Sequence, residues 1–306
     1  MKKHKIEIKY FVLFSLISSV PIFIFFILGI YLIQIISVSL IYQILIIFGF
    51  SLILAALMTT ALSIINPAVS DAMLTLRRLL RFESLSNPLL MKLSIVAPGT
   101  YHHSMNVSNL AQRACKAVGA DSLLVRTAAY YHDIGKIDNP NIFIENQAES
   151  EIPQDESAKE IKNTANKIIG HVENGIRIAE ENNLPDSIIN LIAEHHGTTR
   201  AWLFYRKAVE KGLKIKRSDF RYKGPIPQTK ESAILMISDC VEAAIRAQLF
   251  LTKPAMSEIV NNIIEERLKE NQFKNAGFSE NDMEKIKNSL IDTLLSIYHQ
   301  RISYLK

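Results

Sequence analysis

The sequence predicts an all-α protein, a helical domain preceded by an N-terminal anchor of two transmembrane helices. Three observations predict it. No charged residue occurs between Lys9 and Asp71. From Asp71 to Lys306 apolar residues recur at helical spacing, with no sustained strand alternation and no internal repeat. Six of the eight histidines (His102, His103, His132, His171, His195 and His196) fall between positions 102 and 196, close to expected helix ends.

The anchor comes first in the chain. A mean hydropathy of +0.13 over 306 residues is high for a soluble protein, and the uncharged stretch accounts for it. Its side-chain amides are Gln34, Gln43 and Asn66. A helix needs roughly 20 apolar residues to cross the hydrocarbon core of a bilayer. Two spans therefore fit, at 11–33 and 39–65, joined by a turn at 34–38, with Pro21 kinking the first. Lys2, Lys3, Lys5 and Lys9 precede the first span, and Arg77, Arg78 and Arg81 follow the second. Both basic flanks belong on the cytoplasmic side, which an even number of spans permits. A cleaved signal peptide is the alternative. Against it stand the absence of a small-residue cleavage site and the apolar sequence that continues into a second span. The expectation is a multi-pass protein of the cell membrane, its partner there the lipid bilayer, with its bulk in the cytoplasm.

The net charge of +5 divides in the same way. Four lysines against Glu7 give +3 in the first ten residues and leave +2 for the remainder. The pI near 9.0 is thus mostly a topology signal, and no nucleic-acid polymer is expected as a partner. Apolar content of 48% excludes a disordered chain, and two cysteines, Cys115 and Cys240, exclude a disulfide scaffold.

Beyond the anchor, 71–82 continues as a linker helix, and Pro88 and the break at Ala97-Pro98-Gly99 separate it from a compact domain. Helices are expected at 101–118, 121–133, 163–182, 185–196, 201–212, 230–248, 256–270 and 279–303. Gly119, Gly135 and Gly197 sit where helices stop, as left-handed caps do. The stretch 138–157, rich in Asn, Glu and Gln with Pro140 and Pro153, reads as a lid-like loop. The stretch 217–229, with Gly224, Pro225 and Pro227, reads as an extended connector.

His132 is followed at once by Asp133 near a helix end, and Asp239 interrupts an apolar helix. Imidazole and carboxylate together suit Fe, Mn or Zn. A lone helical histidine is usually structural, but histidines gathered beside Asp133 at helix ends are harder to explain that way. Trp202 with Phe204 and Tyr205 suits helix packing better than base stacking, and His4 and His299 read as surface residues.

The pattern His103…His132-Asp133…Asp239 resembles the HD superfamily of metal-dependent phosphohydrolases, with His171, His195 and His196 as its two-metal members add. Further words narrow the resemblance: Pro98-Gly99-Thr100-Tyr101-His102-His103-Ser104, Tyr130-Tyr131-His132-Asp133-Ile134-Gly135-Lys136, Phe143-Ile144-Glu145-Asn146-Gln147, His195-His196-Gly197-Thr198-Thr199 and Phe220-Arg221-Tyr222. Together they are similar to the cytoplasmic domain of bacterial seven-transmembrane HD proteins, the PgpH-type cyclic-di-AMP phosphodiesterases. The similarity runs from about Asn66 to the last helix, where Tyr298-His299-Gln300-Arg301 stands.

The resemblance implies an enzyme, a membrane-anchored phosphodiesterase that opens cyclic di-AMP to pApA with two divalent transition metals, Mn or Fe. It implies that His103, His132, Asp133 and Asp239 hold one metal and that Asp133, His171, His195 and His196 hold the other, Asp133 bridging. Asp133 and Lys136 would be catalytic, with Lys136 reaching a phosphate oxygen. Thr198, Thr199 and Arg246 are further candidates for phosphate contact. His103 takes precedence over His102 because it precedes the serine of the family's first helix. The domains would be an anchor at 1–66, a linker helix at 67–96, the HD domain at 97–250 and C-terminal helices packing on it at 251–306. A cyclic dinucleotide is the expected substrate, and a homodimer is compatible with the pattern. Two alternatives remain, an HD enzyme acting on another cyclic dinucleotide or nucleotide, and a non-catalytic nucleotide-binding membrane receptor. Family members usually carry seven spans and a large extracytoplasmic domain, whereas two spans are expected here. The segment 148–164 matches the family poorly.

Overall fold

The structure, a computed structural model, describes Ile27, Ile30, Tyr31 and residues 40–65, 67–147, 158–213, 216–248 and 252–298. It divides into two compact units, Met1–Arg77 and Arg78–Lys306. In the first, α1 (Leu40–Ile65) runs for 26 residues without a charged side chain, and large apolar side chains such as Tyr42, Leu45, Phe48 and Ile53 are exposed along it. Side chains of α1 are described only at 42 and 44–60. Counted over the described residues alone, no helix is long and apolar enough to cross a membrane. The span expected at 39–65 lies partly outside the described residues, and the one at 11–33 lies outside them apart from Ile27, Ile30 and Tyr31.

α2 (Pro67–Glu83) carries the boundary between the units. Its last turns bury Leu79 and Phe82. The Phe82 carbonyl accepts a hydrogen bond from the Tyr131 hydroxyl at 2.8 Å, and the two rings meet edge to face. The break expected at Pro88 is the start of a helix, α3 (Pro88–Val96). Proline at a first helical position gives up an N–H that the helix does not need. The Asn87 side chain accepts the Leu89 N–H at 3.0 Å, and Leu89, Leu90 and Leu93 then enter the main core. Pro98 likewise opens α4 (Pro98–Ala117), three residues ahead of the expected start. Asp121 caps α5 (Ser122–Tyr131) by accepting from the N–H groups of Leu123 and Leu124.

Residues 134–147, of which 138–147 were expected as part of a lid-like loop, form three 3-10 turns, Ile134–Asp138, Pro140–Ile142 and Ile144–Asn146. The rest of the expected lid, 148–157, lies outside the described residues. Next come α6 (Ala158–Glu181), α7 (Asp186–Glu194) and α8 (Trp202–Glu210). The connector at 217–229 is extended after a 3-10 turn, Arg217–Phe220, and pairs once with the chain through Arg200 and Arg221. α9 (Lys230–Arg246) starts on a capping box between Thr229 and Ser232. α10 (Lys253–Lys269) and α11 (Asp282–Ile297) complete the described chain.

α4 packs against α3, α5, α9 and α11, while α6 packs on the 3-10 turn after Asp133 and on α7. α9 is buried without interruption from Ser232 to Asp239, as befits a helix through the centre of a core. A smaller cluster of Ile161, Ala165, Phe204, Ala208 and Phe220 holds α8 and the connector against α6. Gly119 and Gly197 take the left-handed conformation expected of them, but Gly135 does not. Gly135 is required for a different reason. A Cβ there would lie 1.9 Å from the His171 carbonyl oxygen and 2.4 Å from the Gly175 nitrogen, so only glycine lets the turn after Asp133 press onto α6.

Candidate metal centre

Helix interiors and helix ends together deliver the chemistry. His103 stands on α4 and Asp239 on α9. His132 and Asp133 follow the last residue of α5, His171 lies within α6, and His195 and His196 follow α7. All seven residues meet in two groups, each with ligand atoms within 4.8 Å of one another: His103, His132 and Asp239, and Asp133, His171, His195 and His196. Asp133 divides its oxygens between them. Its Oδ2 lies 3.3 Å from His132 Nε2 and 3.8 Å from His103 Nε2, while its Oδ1 lies 3.2 Å from His171 Nε2 and 3.8 Å from His195 Nε2. Asp239 Oδ1 is 2.9 Å from His103 Nε2, and its Oδ2 is 3.6 Å from His196 Nδ1.

The backbone sets the tautomers. The Nδ1–H of His132 donates to the Ala129 carbonyl at 2.7 Å, that of His171 to Ile168 at 2.5 Å and that of His195 to Ile192 at 2.6 Å. Each ring is thereby left with Nε2 turned inward, the nitrogen that binds a metal once it is unprotonated. His132 Nε2 and Asp133 Oδ1 are buried and have no hydrogen-bond partner among the described residues. Such orphaned atoms are costly in a folded core, and a divalent cation in each group would satisfy them. The donor set, imidazole nitrogens and carboxylate oxygens without thiolate, fits a divalent transition metal.

Charge follows the same division. Burial alone would raise the carboxyls of Asp133 and Asp239, but Lys136 and His132 hold the first, and His103 and His132 the second, well below the usual range. Burial, reinforced by His132 and His171, pushes His195 down to about 3, and burial beside His195 lowers His196. His132 goes the other way. Burial opposes its charge, yet Asp133 and Asp239 raise it to about 10.

Lys136 is enclosed. Its Nζ lies 2.7 Å from Asp133 Oδ2 and 2.6 Å from Glu145 Oε1, above the Phe143 ring. Glu145 also accepts from the Thr100 hydroxyl at 3.1 Å, and Asn146 accepts the Thr100 N–H at 3.1 Å, which ties the third 3-10 turn to the start of α4. Thr198 accepts from Gln272 Nε2 at 2.9 Å and from Arg221 Nη1 at 2.7 Å, and the Thr199 hydroxyl donates to the His196 carbonyl at 2.7 Å. Arg246 Nε is 3.8 Å from Glu242 Oε2. His102 stays out of both groups and lies beside Tyr101. Trp202 lies under the Arg200 guanidinium. His4 and His299 lie outside the described residues.

Glu242, Glu145 and Tyr222 carry no role in the sequence reading. The Glu242 carboxylate accepts from His103 Nδ1, and its spacing of three from Asp239 on one helix was the available signal. The Tyr222 ring stacks on His196 at 4.2 Å between centroids. Beside them opens a cavity of about 210 Å³ lined by Gly170, Glu173, His196, Tyr222 and Lys223 among others.

With this geometry in view, comparison with known proteins is specific. The HD domain family matches residues 100–244. A cyclic-di-AMP phosphodiesterase PgpH of Listeria monocytogenes is 44% identical over 232 residues, which cover 76% of this chain and 32% of that protein. This chain therefore matches about a third of that relative's length. The crystal structure of the L. monocytogenes PgpH HD domain superposes with a TM-score of 0.66 at 43% identity, over 70% of this chain and 100% of the other. The same domain in complex with cyclic-di-AMP superposes with a TM-score of 0.65 at 43% identity, over 71% of this chain and 100% of the other. A solved HD domain matched along its whole length at this identity, on a shared all-helical fold, shows that the chain belongs to the HD-domain family and is homologous there to PgpH phosphodiesterases.

Proposed function

We propose that the protein is a two-metal phosphodiesterase that hydrolyses cyclic di-AMP to pApA. His103, His132, Asp133 and Asp239 would hold one metal, and Asp133, His171, His195 and His196 the other. The observation that carries this reading is the division of the Asp133 oxygens, Oδ2 toward one group and Oδ1 toward the other. Two bound divalent metals, Mn or Fe, would polarise a phosphodiester and bring a water's pKa toward neutrality. The chain's own residues would do the rest. Asp133 would offer one oxygen to each ion, and the inward Nε2 atoms of the histidines would complete the two ligand sets. Lys136 holds Asp133 in register while Glu145 balances the lysine's charge. The cavity beside His196, with the Tyr222 ring at its wall, offers a flat apolar surface next to the reacting centre, suited to a base. Cyclic di-AMP as substrate is supported by the PgpH relatives and by the homologous domain crystallised with that nucleotide.

The 26 uncharged residues of α1, with the basic flanks, support a membrane anchor and a catalytic domain on the cytoplasmic side. The test is turnover of cyclic di-AMP by the full chain in membrane vesicles, with Mn or Fe supplied, against a panel of other cyclic dinucleotides and nucleotides. The expected result is cyclic-di-AMP hydrolysis to pApA that Asp133→Ala abolishes together with metal loading. Retained turnover in that variant, or preference for another substrate, overturns the reading.

A further inference from the structure

The histidines of the centre differ in what stands behind them. His132, His171 and His195 each donate Nδ1–H to a main-chain carbonyl three residues earlier. His103 instead donates to a carboxylate, that of Glu242, which is buried on α9 and reached from α4. Glu242 lies three residues after Asp239, so one face of one helix grips both ends of the His103 ring: Glu242 at Nδ1, and Asp239 Oδ1 at 2.9 Å from Nε2. Glu242 is itself held, since Asn106 Nδ2 donates to its Oε1 at 3.2 Å and Arg246 approaches Oε2 at 3.8 Å.

A hydrogen bond to an ionised acceptor is about twice as strong as one to a neutral carbonyl. It fixes the ring's tautomer and orientation and makes the opposite nitrogen a better donor to a metal. Among the described residues no carboxylate is hydrogen-bonded to Nδ1 of a histidine in the other group. There, His171 and His195 rest on neutral carbonyls, and His196 stacks on Tyr222 with its Nδ1 3.6 Å from Asp239 Oδ2, beyond hydrogen-bond distance. We infer that Glu242 is a positioning residue for His103, and that it tunes metal affinity in the His103–His132–Asp239 half of the centre while leaving the other half unaffected. The inference rests on the two-metal reading above, and its chemistry also gives Arg246 a use, as a partner of Glu242 at the edge of the centre.

The test titrates the metal-stripped full chain with Mn(II) alone and follows free ion by electron paramagnetic resonance, comparing the natural chain with Glu242→Gln and Glu242→Ala. Glu242→Gln keeps the shape and one acceptor but removes the charge. Two binding events are expected for the natural chain. In Glu242→Gln one of them weakens by about 10- to 100-fold and the other is unchanged. Glu242→Ala weakens the same event further, and the metal-free Glu242→Gln chain still unfolds cooperatively. Excess Mn(II) refills the weakened site. Two unchanged events in Glu242→Gln overturn the inference, as do two events weakened equally with a lowered melting point of the metal-free chain. If the natural chain takes up no Mn(II), the two-metal reading falls and takes the inference with it.

Discussion

Lys136 separates two roles at the scale of one residue. From the sequence, a lysine one helical turn past His132-Asp133 suggests a phosphate contact. In the structure its ammonium is spent between Asp133 and Glu145, within a hydrogen bond of each. Burial alone would weaken its charge, but those two carboxylates hold it firmly protonated. Removing one partner of such a cluster leaves buried charge uncompensated, which costs about 3–5 kcal/mol. Lys136→Met is therefore expected to lower stability by about that amount in denaturant unfolding of the metal-free chain. A variant with natural stability and a raised KM would instead return Lys136 to the substrate. The seven histidines and aspartates of the centre were legible in the sequence through their match to the HD pattern; His132, Asp133, His195 and His196 also stand at helix ends, whereas His103, His171 and Asp239 stand within helices. Glu242 and Glu145 were not, because glutamate is common on helix surfaces and nothing in a sequence distinguishes a buried one.

At the scale of elements, caps and packing decide where helices start, and periodicity alone does not carry that information. α3 was hidden behind Pro88, which reads as a breaker until Asn87 is seen to cap the turn and three leucines to enter the core. The turns at 134–147 were hidden for a related reason. Polar, asparagine-rich sequence looks solvated, yet Thr100, Glu145 and Asn146 satisfy one another against α4. Gly135 makes the contact between elements testable. An alanine Cβ would run into main-chain atoms of α6 at His171 and Gly175, and neither can yield without moving the helix. Gly135→Ala is expected to cost about 1–3 kcal/mol as an overpacked contact and to reduce metal uptake by the group that contains His171. Gly170, one residue before that histidine, has nothing within 4 Å of the place a Cβ would take, and in a helix interior alanine outranks glycine. Gly170→Ala should raise stability by about 0.5–1 kcal/mol. Paired melting curves check both signs, and a neutral Gly135→Ala would remove the steric account of the turn.

For the whole molecule, the centre couples stability to pH in opposite directions on its two sides. In the metal-free chain His195 is lowered to about 3, by burial and then by His132 and His171, and His196 is lowered by burial and His195. The unfolded chain binds protons at these histidines below their ordinary 6.5 while the folded chain does not, so stability falls as pH drops from that value. Asp133 and Asp239, held well below 3.8, add a loss as pH falls further. His132 acts in reverse. Its burial is outweighed by Asp133 and Asp239, which raise it to about 10, so its contribution is complete below 6.5 and is lost as pH rises toward 10. The metal-free chain is thus expected to be most stable near pH 6.5 and to weaken on either side. Metal changes the alkaline side. A ligating imidazole must give up its Nε2 proton, so ion uptake releases protons at His132 and strengthens as pH rises. Ions at 100 times their dissociation constant add about 2.7 kcal/mol per site. Thermal unfolding from pH 5 to 10, with chelator and with Mn(II), should give a peaked curve for the first and a curve without the alkaline decline for the second. A metal-free chain whose stability rises steadily from pH 6.5 to 10 would mean that His132 is neutral in the fold and that the Asp133 and Asp239 carboxylates are not its charge partners.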